Sequence, residues 1–173
     1  MASYYYLISS LPMLRTQGEP PMDYAAFLAM CRSAVSAGVY RTLEELTVDS
    51  DKGPLLSEWA GFYKALCREL TYQRNVKLGR PCAVPSDRDA GIVQTVTAAV
   101  NAENPLEGER LLLGLEFRRL DGMIGLHNFD DHALYGYAMK LQLLERQRTF
   151  RYESGKRAFD GLMQNIRQQV SSL

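Results

Sequence analysis

Apolar residues recur at three- and four-residue spacing along most of this chain, a rhythm that predicts helices. The stretch that organises the rest is Phe129 to Arg151, FDDHALYGYAMKLQLLERQRTFR. Asp130 or Asp131 can cap its first turn by accepting a free backbone N–H. Leu134, Tyr137, Ala138, Leu141 and Leu144 make one apolar stripe, and Tyr135, Met139 and Leu143 make a second. Two stripes imply neighbours on two sides. Gly136, Lys140 and Gln147 fall on the remaining strip, which is expected to face solvent or a partner.

The same rhythm places a helix on Tyr24, Phe27, Leu28, Cys31, Ala34 and Val35, with Gly38 as its stop. Thr42 and Glu45 have capping-box spacing and suggest a short helix through Leu46. Leu55, Trp59, Phe62, Leu66 and Leu70 share one face of a helix reaching about Leu78, before Gly79, so Trp59 belongs to the core. Ser86 with Asp89 suggests a cap for a helix faced by Ile92, Val93, Val96, Ala99 and Val100, although its β-branched residues disfavour helix. Asn104-Pro105-Leu106-Glu107 combines a cap, a first-turn proline and a first-turn carboxylate. The leucines that follow surround much of that helix and put it near the centre. Glu153-Ser154-Gly155 marks a turn before a terminal helix faced by Phe159, Leu162, Met163, Ile166 and Val170. At the other end Tyr4 to Ile8, YYYLI, is aromatic and β-branched, with the composition of a short strand. No partner strand is evident, so this segment is expected to pack across the bundle as irregular or helical structure, or to add to a sheet in another chain; the fold expected takes it as a short extended tether. The fold class expected is all-α: a single-domain bundle of about six helices over residues 1–173.

Composition narrows this picture little. At 173 residues the chain suits one core, and no apolar run approaches the roughly 18 residues of a membrane span. The N-terminus lacks the basic and apolar regions of a signal peptide, so a cytoplasmic protein beginning there is expected. Three widely spaced cysteines, Cys31, Cys67 and Cys82, fit neither a disulfide framework nor a CxxC site and read as reduced thiols. Net charge is zero, yet from Lys140 onward seven basic residues stand against three acidic ones. That basic end could face an acidic partner, or simply be solvated. A neutral chain without a reading motif gives little reason to expect nucleic acid as the partner.

Candidate chemistry concentrates in His127-Asn128-Phe129-Asp130-Asp131-His132, which holds both histidines. A metal-dependent hydrolase using His127, Asp130, Asp131 and His132 is one reading. Its spacing offers neither paired histidines four apart on a helix nor a Glu-x-x-His step, and the aspartates are already explained as caps. No metal or other cofactor is therefore expected. Ser154-Gly155-Lys156 lacks the upstream glycine of a phosphate-binding loop, and neither GxSxG nor GxGxxG occurs. Glu145 and Arg148 continue the first stripe of the organising helix, where charges need partners; a structural ion pair between them is expected, with reaching across to another helix or docking a second protein as the alternatives.

Two blocks carry a family resemblance. Ser3-Tyr4-Tyr5-Tyr6-Leu7-Ile8-Ser9-Ser10-Leu11-Pro12-Met13-Leu14 resembles the N-terminal YYYLV-x-SLP-x-L signature of an uncharacterised bacterial domain family encoded in V-type (A/V-type) ATPase operons. Phe129-Asp130, Leu134, Tyr137, Lys140-Leu141, Leu144-Glu145-Arg146 and Gly155-Lys156 resemble its C-terminal pattern, FD-x-x-x-L-x-x-Y-x-x-KL-x-x-LER with a GK turn. Gln147 departs from it, standing where many members have an aromatic residue. The resemblance implies a non-catalytic accessory subunit or assembly factor of the rotary ATPase on its central-stalk or rotor side, peripheral to the membrane and not inserted in it. It supplies no catalytic residues. The contact candidates that go with it are Tyr4, Tyr5, Tyr6, Lys140, Gln147 and Arg151.

Overall fold

Seven helices follow one another in a computed structural model that describes residues 4–148, 155–156 and 159–164. They are α1 (Tyr5–Ser10), α2 (Tyr24–Cys31), α3 (Ala37–Glu44), α4 (Pro54–Lys77), α5 (Ala90–Asn101), α6 (Pro105–Ile124) and α7 (Asp131–Arg148). Residues 155–156 and 159–164 are also helical. No strand occurs among the described residues, and no helix among them is long and apolar enough to cross a membrane.

The organising helix is α7. Asp130 caps it, its Oδ1 accepting the Ala133 N–H at 3.2 Å. Leu134, Ala138, Leu141 and Leu144 from one stripe are buried, as are Met139 and Leu143 from the other. The two-sided expectation therefore holds: α7 packs on α6 and α4 and also on α2 and α3. Gly136, expected on the open strip, is buried instead against the side chains of Ile124 and Leu55. Its missing side chain lets the end of α6 lie close to α7.

Around α7 the buried apolar side chains of all seven helices join in one cluster. Trp59 is fully buried beside Phe62 and Tyr63, and its indole N–H donates to the Val48 carbonyl at 2.8 Å. Helix α5 forms as expected, its β-branched positions notwithstanding, because Ile92 and Val96 are buried. Its cap is Asp89 alone, which accepts the Gly91 and Ile92 N–H groups at 2.8 and 3.1 Å.

Three boundary expectations need correction. The helix from Tyr24 stops at Cys31, because Ser36 caps a new helix and accepts the Val39 N–H at 3.4 Å. Gly38 therefore lies inside α3, and the Thr42 hydroxyl donates back to the Gly38 carbonyl at 3.1 Å instead of capping a later helix. Gly155 and Lys156 are helical where a turn was expected; Glu153 and Ser154 lie outside the described residues. At the N-terminus, YYYLI is not extended: Tyr5–Ser10 is a helix burying Leu7. Local β propensity yields here to tertiary packing, because one helical turn can bury Tyr4 and Leu7 together without a second strand to pair the backbone.

One buried charge secures the far end of α4. Arg88 Nε and Nη2 donate to the two oxygens of Glu69 at 2.9 and 2.6 Å, and Gln73 Nε2 adds a bond at 2.8 Å. The Arg88 hydrogen bonds outweigh burial and, with Gln73, hold the Glu69 carboxyl below its ordinary 4.5. A lowered folded value means that this carboxyl contributes stability above 4.5, which is lost as pH falls through the folded value. Glu116 works in the opposite sense, since burial raises its carboxyl despite Arg146. We therefore expect Glu69→Gln to flatten the acid side of the stability curve relative to the parent. Urea denaturation from about pH 7 to about pH 3 checks this.

Candidate functional site

The two sequence blocks that carry the family resemblance meet in space. The Tyr4 N–H donates to the Phe129 carbonyl at 2.8 Å, and the Tyr137 hydroxyl donates to the Pro12 carbonyl at 2.9 Å. Tyr5 packs on the Phe129 ring with centroids 4.7 Å apart, and Tyr6 meets Tyr5 edge-on at 5.6 Å. Helix α1 is thus tied to the turn that joins α6 to α7.

This arrangement sorts the contact candidates. Tyr4 is buried, and burial followed by the Asp131 carboxylate beside it pushes its phenol above the ordinary range. It holds α1 in place and has little surface to offer a partner. Tyr5 is 53% exposed and Tyr6 88% exposed. Leu126, 95% exposed, and Phe129, 38% exposed, come from the α6–α7 turn to which α1 is tied. Sequence reasoning missed Leu126 and Phe129. The signal available was Gly125, whose φ of 53° turns the chain out of α6 and leaves the next residue on the outside.

Lys140 is not free for a partner. Its ammonium is paired with Asp121 of α6 and lies 5.5 Å from the centroid of the Phe117 ring. Gln147 and Arg148 line a cleft of about 490 Å³ between α7, Arg110 of α6 and the Thr16–Pro20 loop. Arg151 lies outside the described residues.

The expected pair of Glu145 with Arg148 does not form. Glu145 Oε1 accepts the Tyr24 backbone N–H at 2.7 Å, so this carboxylate serves the positive end of α2 from across the core. Arg148 is exposed. The charge that does bind inside the bundle is the residue next to Glu145: Arg146 Nη1 and Nη2 grip both oxygens of Glu116 at 3.1 and 2.8 Å, with Glu109 at 4.0 Å. Lys140 and Arg146 are therefore engaged within the bundle, and the basic end offers less free charge than its composition suggests.

Cys31 is fully buried, and burial pushes its thiol up to about 11, so it serves as a small hydrophobe. Cys67 and Cys82 are exposed free thiols.

The histidine-rich turn is more ordered than its spacing implied. His127 and His132 stack with ring centroids 4.3 Å apart at 15°, and His127 Nδ1 shares a short hydrogen bond with Asp130 Oδ2. One donor atom from each of His127, Asp130 and His132 lies within 4.8 Å of the other two. Burial pushes the Asp130 carboxyl up. Hydrogen bonds from His127 and Ala133 and the charges of the two histidines outweigh it, holding the group below its ordinary 3.8. Asp131 is turned elsewhere, with Oδ1 buried and lacking a hydrogen-bond partner. Spacing along one helix face does not bring these groups together; His127 precedes the helix, and the turn folds it back onto His132 and Asp130.

No family model, curated protein or solved structure matches the chain.

Proposed function

We propose that this chain is a non-catalytic accessory subunit or assembly factor of a bacterial V-type rotary ATPase. On this reading it docks from the cytoplasm on the central-stalk or rotor side, peripheral to the membrane. The observation that carries the reading is the joining of the two family-like blocks: Tyr4 and Phe129 are hydrogen-bonded, and Tyr5 packs on Phe129. Motifs at opposite ends of a chain that build one feature are accounted for by a shared surface.

The contact surface is the aromatic patch of Tyr5, Tyr6, Phe129 and Leu126. Exposed aromatics supply large, rigid contact area and are enriched where proteins meet. Tyr6 is so exposed that packing within this chain gives it little role.

The test is affinity capture of the tagged chain from cells expressing the ATPase. The parent is expected to bring down stalk or catalytic subunits stoichiometrically. Tyr5→Ala/Tyr6→Ala should weaken that capture by at least about tenfold, the effect of one lost hot spot. Its melting temperature should stay close to that of the parent, because both side chains are largely exposed. Capture without ATPase subunits would refute the reading, and undiminished capture by the double variant would move the surface elsewhere.

A further inference from the structure

We propose that His127, Asp130 and His132 form a binding site for one divalent cation of the zinc class, at the turn where α6 gives way to α7. Two imidazoles and one carboxylate are a borderline donor set that suits zinc, cobalt or nickel better than magnesium or calcium. Three protein ligands would leave a position for water. The inference stands apart from the docking reading, since it rests on different atoms.

Three features of the turn favour an ion over a plain helix cap. Capping needs only Asp130, whose Oδ1 takes the Ala133 N–H and leaves Oδ2 directed at His127. The same bond orients the carboxylate, as outer-shell contacts do at metal centres. Stacking of the two histidines, with ring centroids 4.3 Å apart, adds nothing to a cap but gathers two metal-ligating side chains at one place. The third feature is charge: a cation beside the positive end of α7 would be disfavoured, but Asp130 and Asp131 both sit at that end and offset the dipole.

The geometry is within reach. Donors on one tetrahedral zinc stand about 3.3 Å apart, from bond lengths near 2.0 Å. The donor atoms here are at most 4.8 Å apart. His127 is exposed and His132 half-buried, so rotation of the rings can close the gap without moving either helix. An ion bound here takes the place of the hydrogen that His127 Nδ1 and Asp130 Oδ2 share. Asp131 and Lys52 line the neighbouring cavity of about 130 Å³ together with His132.

Co²⁺ serves as the probe for the full chain, with Zn²⁺ as competitor. One equivalent is expected to produce visible absorption bands that Zn²⁺ abolishes, with a rise in melting temperature. His127→Gln and His132→Gln should each weaken binding by about tenfold or more. Asp130→Asn is the decisive variant, because asparagine caps a helix as well as aspartate but is a poor metal ligand. It should fold with the parent's metal-free melting temperature yet lose affinity to a similar degree. Failure of Co²⁺ to saturate the parent, or equal binding by parent and Asp130→Asn, would overturn the site.

Discussion

Arg146→Ala is expected to lower the stability of the bundle by about 3–5 kcal/mol, the cost of leaving a buried partner charge alone. Glu116 is only 1% exposed, and its two oxygens take bonds from Arg146 Nη1 and Nη2 across the α6–α7 seam. Burial already raises the Glu116 carboxyl, and Arg146 is the chief opposing influence. Without it the carboxylate must either take up a proton or draw water into the seam. The double variant Glu116→Leu/Arg146→Met should recover most of the loss, because buried pairs often can be exchanged for apolar residues of similar volume at little cost. Urea denaturation of parent, single and double variants measures both effects. A loss below about 1 kcal/mol for Arg146→Ala, the range of an exposed pair, would show that the seam is wet.

The same pair shows how far periodicity alone can be followed. The stripes of α7 were legible in the sequence, and Leu134, Ala138, Met139, Leu141, Leu143 and Leu144 are buried. Arg146 continues the second stripe three residues after Leu143, and Glu116 lies four residues from both Leu112 and Leu120 on a buried face of α6. Each charge interrupts an apolar stripe on its own helix, so the pairing was within reach of a search for charges of opposite sign. Glu69 is a third case, three residues after Leu66 on the Trp59 face, but its partner Arg88 lies outside the helices and no periodicity points to it. Helix starts were legible at Asn104 and Asp130, whose side chains cap the first turn. They were misplaced at Ser36, where Thr42 and Glu45 mimic a cap that forms six residues earlier. The extended form of the aromatic N-terminus was misread for a physical reason. Its conformation is fixed by a contact with the far end of the chain, the Tyr4 N–H on the Phe129 carbonyl, and local propensity carries no information about that.

Gly108→Ala should destabilise the bundle by about 3 kcal/mol, although Gly→Ala inside a helix usually stabilises by about 0.5–1 kcal/mol. A β-carbon there would stand 2.6 Å from the Ala99 carbonyl oxygen and 3.4 Å from its carbon. These are backbone atoms of α5, held by the helix, so they cannot rotate aside as a side chain would. Insertion must instead push α5 from α6, disturbing Ile92, Val96 and Leu112 on the buried faces. Two other helical glycines make the comparison sharp. At Gly61 in α4 an added β-carbon meets nothing within 4 Å, and Gly61→Ala should gain the ordinary propensity term. At Gly136 the obstacle is the Ile124 side chain, with Cδ1 and Cγ1 at 2.4 and 2.5 Å; a side chain can shift where backbone cannot, so its variant should fall between the other two. Thermal melts read the order directly, at about 2–4 °C for each kcal/mol in a chain of this size. If Gly108→Ala melted above the parent, α5 and α6 would have to lie farther apart than their backbones do here, and the tight α5–α6 seam would be wrong.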